Sequence, residues 1–160
     1  MKTLIVGFST SESLFSFIIK RATSSDVSHT YLRLPTPFGE DIIFQASELS
    51  VNYCNGKVFE SKSKVMEEYE VEISDEQWDI AEKFRVTEVG KPYSAKQIVG
   101  FGWILFCHAM GKNVNNPLAD GSNSYICTEV VSVCIGLKNV ENWSPGALRD
   151  WCKEFAKRII

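Results

Sequence analysis

The chain opens with a short unbroken apolar run. Residues 3–8, TLIVGF, have the length and branched content of a buried strand. Residues 12–22, ESLFSFIIKRA, switch to helical spacing, with Leu14 and Ile18, and Phe15 and Ile19, each four apart. Residues 28–34, SHTYLRL, alternate: Thr30, Leu32 and Leu34 share one face, His29, Tyr31 and Arg33 the other. PTPFGE is a loop by its Pro and Gly. DIIFQA at 41–46 and KVFES at 57–61 read as two further strands. VMEEYEVEI at 65–73 alternates again, with Met66, Glu68, Glu70 and Glu72 opposite Val65, Tyr69, Val71 and Ile73. That pattern predicts a strand with one solvated side, its glutamates Glu67, Glu68, Glu70 and Glu72 at the surface.

The helices are marked by their punctuation. Ser74–Gln77 and Ser94–Gln97 both have capping-box spacing. The first predicts a helix to about Val89, stopped by Gly90 and Pro92. The second predicts an apolar core helix to about Met110, with Gly111 beyond. Residues 111–124, GKNVNNPLADGSNS, form a long polar loop. An apolar helix beginning near Cys127 ends at Gly136, and Ser144-Pro145 opens a last helix to about Lys157. Strand, helix, several strands and then a run of helices predict one α+β domain over 1–160, built on an antiparallel sheet.

Size and composition narrow the chemistry. A chain of 160 residues buries roughly 70% of its unfolded surface and needs no disulfide or metal staple. A net charge of −3 argues against a dominant nucleic-acid or anionic-membrane role. The cysteines, Cys54, Cys107, Cys127, Cys134 and Cys152, are odd in number and lack a CxxC pair, which predicts free thiols in a reducing compartment. His29 and His108 are not spaced with cysteines as ligands, so neither a metal nor another cofactor is expected. The N-terminus lacks the apolar segment and cleavage site of a signal peptide. The apolar-rich run at 98–111 falls short of the roughly 20 residues that cross a bilayer. The expectation is a cytoplasmic protein without integral membrane insertion.

Within this frame Cys127 is oddly placed. Cys134 lies in the apolar middle of its helix, where packing accounts for it, whereas Cys127 stands in the first turn. A helix N-terminus carries partial positive charge and unpaired N–H groups, which stabilise a thiolate and can hold an oxyanion. A base must accompany it. His29 starts a strand on the face away from Leu32 and Leu34. His108, inside FCHAM, reads as a core histidine; its neighbour Cys107 projects about 100° away on a helix and makes a poor partner. Gln45, the polar residue inside DIIFQA, is placed to orient an imidazole. Plain packing remains the alternative for each of these residues.

The same residues, in the same order, resemble a family. SDVSHTYLRL is similar to the histidine strand of the permuted NlpC-type papain-like proteins, and YICTEVV to their Tyr-x-Cys-Ser-Glu-Leu-Val helix start. GKPYS resembles their Gly-Lys-Pro-Tyr-Asp turn, and WSPGALRDW their closing Ser/Thr-Pro-Gly-Asp-Leu segment. The opening strand, loop and helix fit as well. The resemblance implies a circularly permuted papain-like fold with Cys127 as nucleophile and His29 as general base and then acid. Gln45 stands where the family usually has Glu, so it can fix the ring by a hydrogen bond but not by charge. Thr128 stands where Ser is usual.

What this implies is a cysteine-nucleophile hydrolase of amide bonds. It would act through a thioester on a small peptide, isopeptide or acyl substrate, with no nucleic-acid partner. Tyr125, Ser28 and Tyr31 are expected to hold the oxyanion or line the substrate site. Two alternatives stay open. One is acyl transfer or lipid-ester hydrolysis, as in the distantly similar lecithin:retinol acyltransferase-like branch; the other is a binding module that has lost the chemistry.

Overall fold

A computed structural model describes the chain apart from residues 48 and 120–122 and the side chains of 101, 102 and 105. Residues 120–122 of the expected loop at 111–124 therefore lie outside the described residues. Strand β1 (Lys2–Thr10) leads into helix α1 (Leu14–Thr23). Strands β2 (His29–Leu34), β3 (Ile42–Ala46) and β4 (Val51–Asn55), the short helix α2 (Gly56–Glu60) and strand β5 (Lys64–Ile73) follow. Helices α3 (Asp75–Thr87), α4 (Ala95–Ala109), α5 (Cys127–Ile135) and α6 (Pro145–Phe155) come next, and the two-residue strand β6 (Lys157–Arg158) closes the chain. The described strands form one antiparallel sheet in the order β4-β3-β2-β1-β5-β6.

Strand alternation decides the two faces. Leu4, Val6 and Phe8 of β1 join Leu32, Phe44, Tyr69 and Val71 under α5, which contributes Val130, Val131 and Cys134, and under α6, which contributes Leu148 and Cys152. A second buried cluster, Ile19, Ile98, Ile104 and Ile126, ties α1 and α4 to the residue before α5. A third, Tyr31, Ile43 and Phe59, lies beneath α2. Here the Tyr31 ring crosses the space that a side chain on Gly7 would fill, so glycine is the residue that fits opposite it.

Several expectations are corrected. KVFES is not a strand. Asn55 ends β4 and its side chain accepts from the N–H groups of Lys57 and Val58, which caps a helical turn there. The strand is the preceding VNYCN. Glu68 is not a surface glutamate: it is buried, and accepts from the Tyr31 hydroxyl and Arg33 Nε, both at 2.7 Å. Arg33 also meets Asp41 and Glu60. The Coulomb gain of such a cluster largely offsets the desolvation of its charges. Both capping boxes are incomplete. Ser74 accepts from Gln77 N–H, yet the Gln77 side chain reaches the carbonyls of Val133 and Cys134 instead. Ser94 makes no side-chain cap at all. Nor is α4 a core helix all round: His108, read as a core histidine, is exposed, as are Trp103, Phe106 and Met110.

Candidate active site

The site begins with register. Ser9 at the end of β1 is directly opposite His29 at the start of β2, so the two side chains share a face. The pairing of β1 with β5 slips between Phe8 and Ser9, a bulge of the kind that re-aims side chains at a sheet end. On the next strands Gln45 is directly opposite Asn52. Ser9, His29 and Gln45 line a cleft of about 590 Å³ whose other walls include Phe15 and Ile19 of α1, Phe59 of α2, and Tyr93, while Asn52 stands behind Gln45.

A chain of hydrogen bonds fixes the histidine. Asn52 Nδ2 lies 2.8 Å from the Ser50 carbonyl and 2.7 Å from Ser47 Oγ. A carbonyl only accepts, so the Asn52 amide turns its NH2 to Ser50 and its oxygen to Gln45. Gln45 Nε2 then donates to Asn52 Oδ1 at 3.3 Å and to Cys54 Sγ at 3.4 Å. That leaves Gln45 Oε1 facing His29 Nε2 at 2.7 Å. An acceptor there requires a proton on Nε2, so neutral His29 keeps its basic lone pair on Nδ1. Burial holds the ring well below its usual value, at about 4, with only partial recovery from the Gln45 bond. The ring is half-buried, with one edge on the cleft.

Cys127 is the first residue of α5, which packs on β2 and β3. The Ile126 N–H is capped by the Glu129 carboxylate at 2.9 Å, and Gln97 Nε2 donates to the same oxygen at 3.2 Å. Residues Pro92–Ser94 pair with the chain around Tyr125, which sets Tyr93 beside the start of α5. The thiol meets the backbone of Thr30, the residue after His29, and the Tyr93 side chain. It is 2% exposed and does not line the cleft. Burial pushes it up to about 11, against the opposing pull of Thr30, of its own and the Thr128 backbone, and of Tyr93. A thiolate at rest, expected from the helix N-terminus alone, is therefore not the favoured form: desolvation outweighs the helix end, part of which Glu129 already matches.

The remaining expected residues fall in different places. Ser28 lines the cleft, and its hydroxyl lies 2.6 Å from Ser16 Oγ on α1. Tyr31 is fully buried, its hydroxyl committed to Glu68, and it is not a cleft wall. Tyr125 is also buried and donates to Glu88 at 3.0 Å, so its hydroxyl is engaged away from the cleft. Three further residues were not singled out from sequence. Asn52 stands in VNYCN, a five-residue strand too short and too polar to be marked by its pattern. Tyr93 lay inside the quoted GKPYS turn, where its role was visible only as a motif letter. Ser9 is buried on the cleft with no hydrogen-bond partner for its hydroxyl among the described residues. No local pattern marks such a serine.

The arrangement defines first a class: an α+β fold with an antiparallel sheet, its cysteine-headed helix laid across a histidine strand. Among solved structures one likeness is to YiiX of Escherichia coli O157:H7, described as a metalloprotein of the DUF1105 group. The two align with a TM-score of 0.55 at 18% identity, over 99% of this chain and 88% of that one. At that identity the likeness is one of fold. No protein-family model matches the chain, and no curated protein matches its sequence. Among the described residues no three His, Cys, Asp or Glu side chains converge as metal ligands would. No helix among the described residues is long and apolar enough to cross a membrane.

Proposed function

We propose that this protein is a cysteine hydrolase of amide bonds on a circularly permuted papain-like fold. Cys127 is the nucleophile, His29 the general base and then acid, and Gln45 the residue that orients the ring. The observation that carries this reading is the fixed tautomer of His29. Its Nε2–H is held by Gln45, its Nδ1 lone pair is left for a proton, and the adjoining Thr30 backbone touches the sulfur.

The resting site is a neutral pair, so proton transfer accompanies attack. The Cys127 proton moves to His29 Nδ1 as the sulfur–carbon bond forms, and the carbonyl oxygen becomes an oxyanion beside the α5 N-terminus. His29 then gives that proton to the leaving amine as the amide bond breaks. Water adds to the thioester, passes its proton to His29, and the acid product leaves as Cys127 regains a proton. Ser9 Oγ, buried and unpartnered on the cleft, offers a polar group of the substrate a partner. Tyr93 bounds the cleft and bonds the thiol, so its displacement is what opens the sulfur to a substrate.

Incubation with a panel of dipeptide amides and short acyl esters, read by mass spectrometry, tests the proposal. A Cys127-linked acyl adduct that accumulates with substrate, and is absent in Cys127→Ala and His29→Ala, is expected. Esters turned over in preference to amides would move the assignment to acyl transfer. The burial of Cys127 favours a second reading, a binding module without chemistry. Substrate-class ligands that bind with no adduct and no turnover would establish it.

A further inference from the structure

Exposed apolar side chains occur over much of the surface, but on two helices they are aligned. On α4, Val99, Trp103, Phe106 and Met110 recur at helical spacing along one face, and each is more than half exposed, from 52% at Trp103 to 69% at Val99. The Trp103 and Phe106 rings pack on one another with centroids 5.8 Å apart. On α1, Leu14, Phe17 and Ile18 form a second exposed apolar face. The two helices meet through the Ile19, Ile98 and Ile104 cluster, with these faces turned away from it. Ordinary surface residues do not align in this way, and a patch of this kind marks a docking surface.

Charge identifies what docks. Acidic residues outnumber basic ones over the whole chain, 20 to 17, yet neither α1 nor α4 carries a single Asp or Glu. Their charges are Lys20 and Arg21 at the end of α1 and Lys96 in the first turn of α4, with Lys112 just beyond its end. Arg21 continues the Leu14–Phe17–Ile18 stripe and is exposed, so a cation stands on the same face as the apolar side chains of α1. Exposed Glu12, two residues before Leu14, is the acid beside α1; aromatic and aliphatic groups with a predominantly basic rim match a bilayer interface with anionic headgroups. The net charge argues against an anionic membrane only as an average; over a Debye length of about 8 Å the local charge decides.

We infer that α1 and α4 form a peripheral membrane-docking face that seats the protein on an anionic lipid surface. Phe15 and Ile19, on the inner side of α1, line the cleft, so the docked face and the candidate site share one helix. Docking does not depend on the chemistry at Cys127.

Flotation with vesicles of phosphatidylcholine, with and without phosphatidylglycerol, tests the inference. The whole protein should float with the phosphatidylglycerol vesicles, and its tryptophan emission should shift to the blue and be quenched by brominated lipid. The exposed pair Trp103→Ser/Phe106→Ser should lose about tenfold or more in partitioning while its circular dichroism is unchanged. Lys20→Glu/Arg21→Glu should lose the preference for phosphatidylglycerol, and Cys127→Ser should float like the parent chain. Failure of the folded parent chain to float on phosphatidylglycerol vesicles would overturn the inference, as would equal flotation of Trp103→Ser/Phe106→Ser. A dimer in the ultracentrifuge that these variants dissolve, without flotation, would overturn it in favour of a second copy as the occupant.

Discussion

His29 is the residue on which the chemistry turns. Its imidazole is neutral above about pH 4, so as a base it is available through the whole ordinary pH range. For any substrate that is turned over, the acid limb of kcat/KM should fall near pH 4, well below the 6.5 of a free histidine. Gln45→Glu places a charge against the same Nε2–H and favours the imidazolium, so the acid limb should move up toward neutrality. An unmoved limb would mean that Gln45 does not orient the ring. Asn52→Ala removes the acceptor that fixes the Gln45 amide, and should lower kcat more than it raises KM. Thiol labelling is decided by the same burial. Cys54 is half-buried while Cys107, Cys127, Cys134 and Cys152 are buried, so iodoacetamide should modify Cys54 first. Cys127 should react slowly at neutral pH, and faster in Tyr93→Ala, where the side chain that bonds the sulfur is gone. Peptide mapping of the alkylated chain reads both.

At the scale of elements, strong local signals translated directly. The apolar run at 3–8, the alternation at 28–34 and 65–73, and the Ser144-Pro145 cap all lie in the expected elements. Ser144 accepts from Ala147 N–H at 3.2 Å, and Ser144→Ala should cost about 1 kcal/mol. The miss at KVFES has a local cause. Five residues with two apolar members satisfy either period, and the deciding contact is the Asn55 side chain two and three residues earlier. Other features are set across elements. Gly7 looks like a weak point in a strand by propensity, yet the Tyr31 ring occupies its missing side chain. Gly7→Ala should therefore destabilise the protein by roughly 1–3 kcal/mol, the usual cost of overpacking, read as a lower urea midpoint.

For the whole molecule, burial of His29 links folding to pH. The folded pKa, about 4, lies below the unfolded value near 6.5, so the unfolded chain binds the extra proton between the two. Stability from this group is complete above about pH 6.5 and is lost as pH falls through the window to 4. The full shift corresponds to at most about 3 kcal/mol, less as water entering the cleft screens the ring edge. Urea titrations of the parent chain and His29→Gln across pH 4–7 should converge as pH falls; parallel curves would contradict a half-buried ring held neutral by the fold.

The sequence by itself determined the class of fold and the identity of the histidine, glutamine and cysteine to be weighed, because strand period, caps and a thiol at a helix start are short-range patterns. His29 and Gln45, sixteen residues apart, do meet at 2.7 Å. Tertiary structure alone decided what those groups are. Desolvation, which depends on everything packed around an atom, makes the thiol and the ring neutral. Cross-strand register recruits Asn52 and Ser9. The same packing turns Glu68 inward and the aromatic face of α4 outward, since a residue's partners across the sheet, unlike its neighbours in the chain, are written nowhere locally.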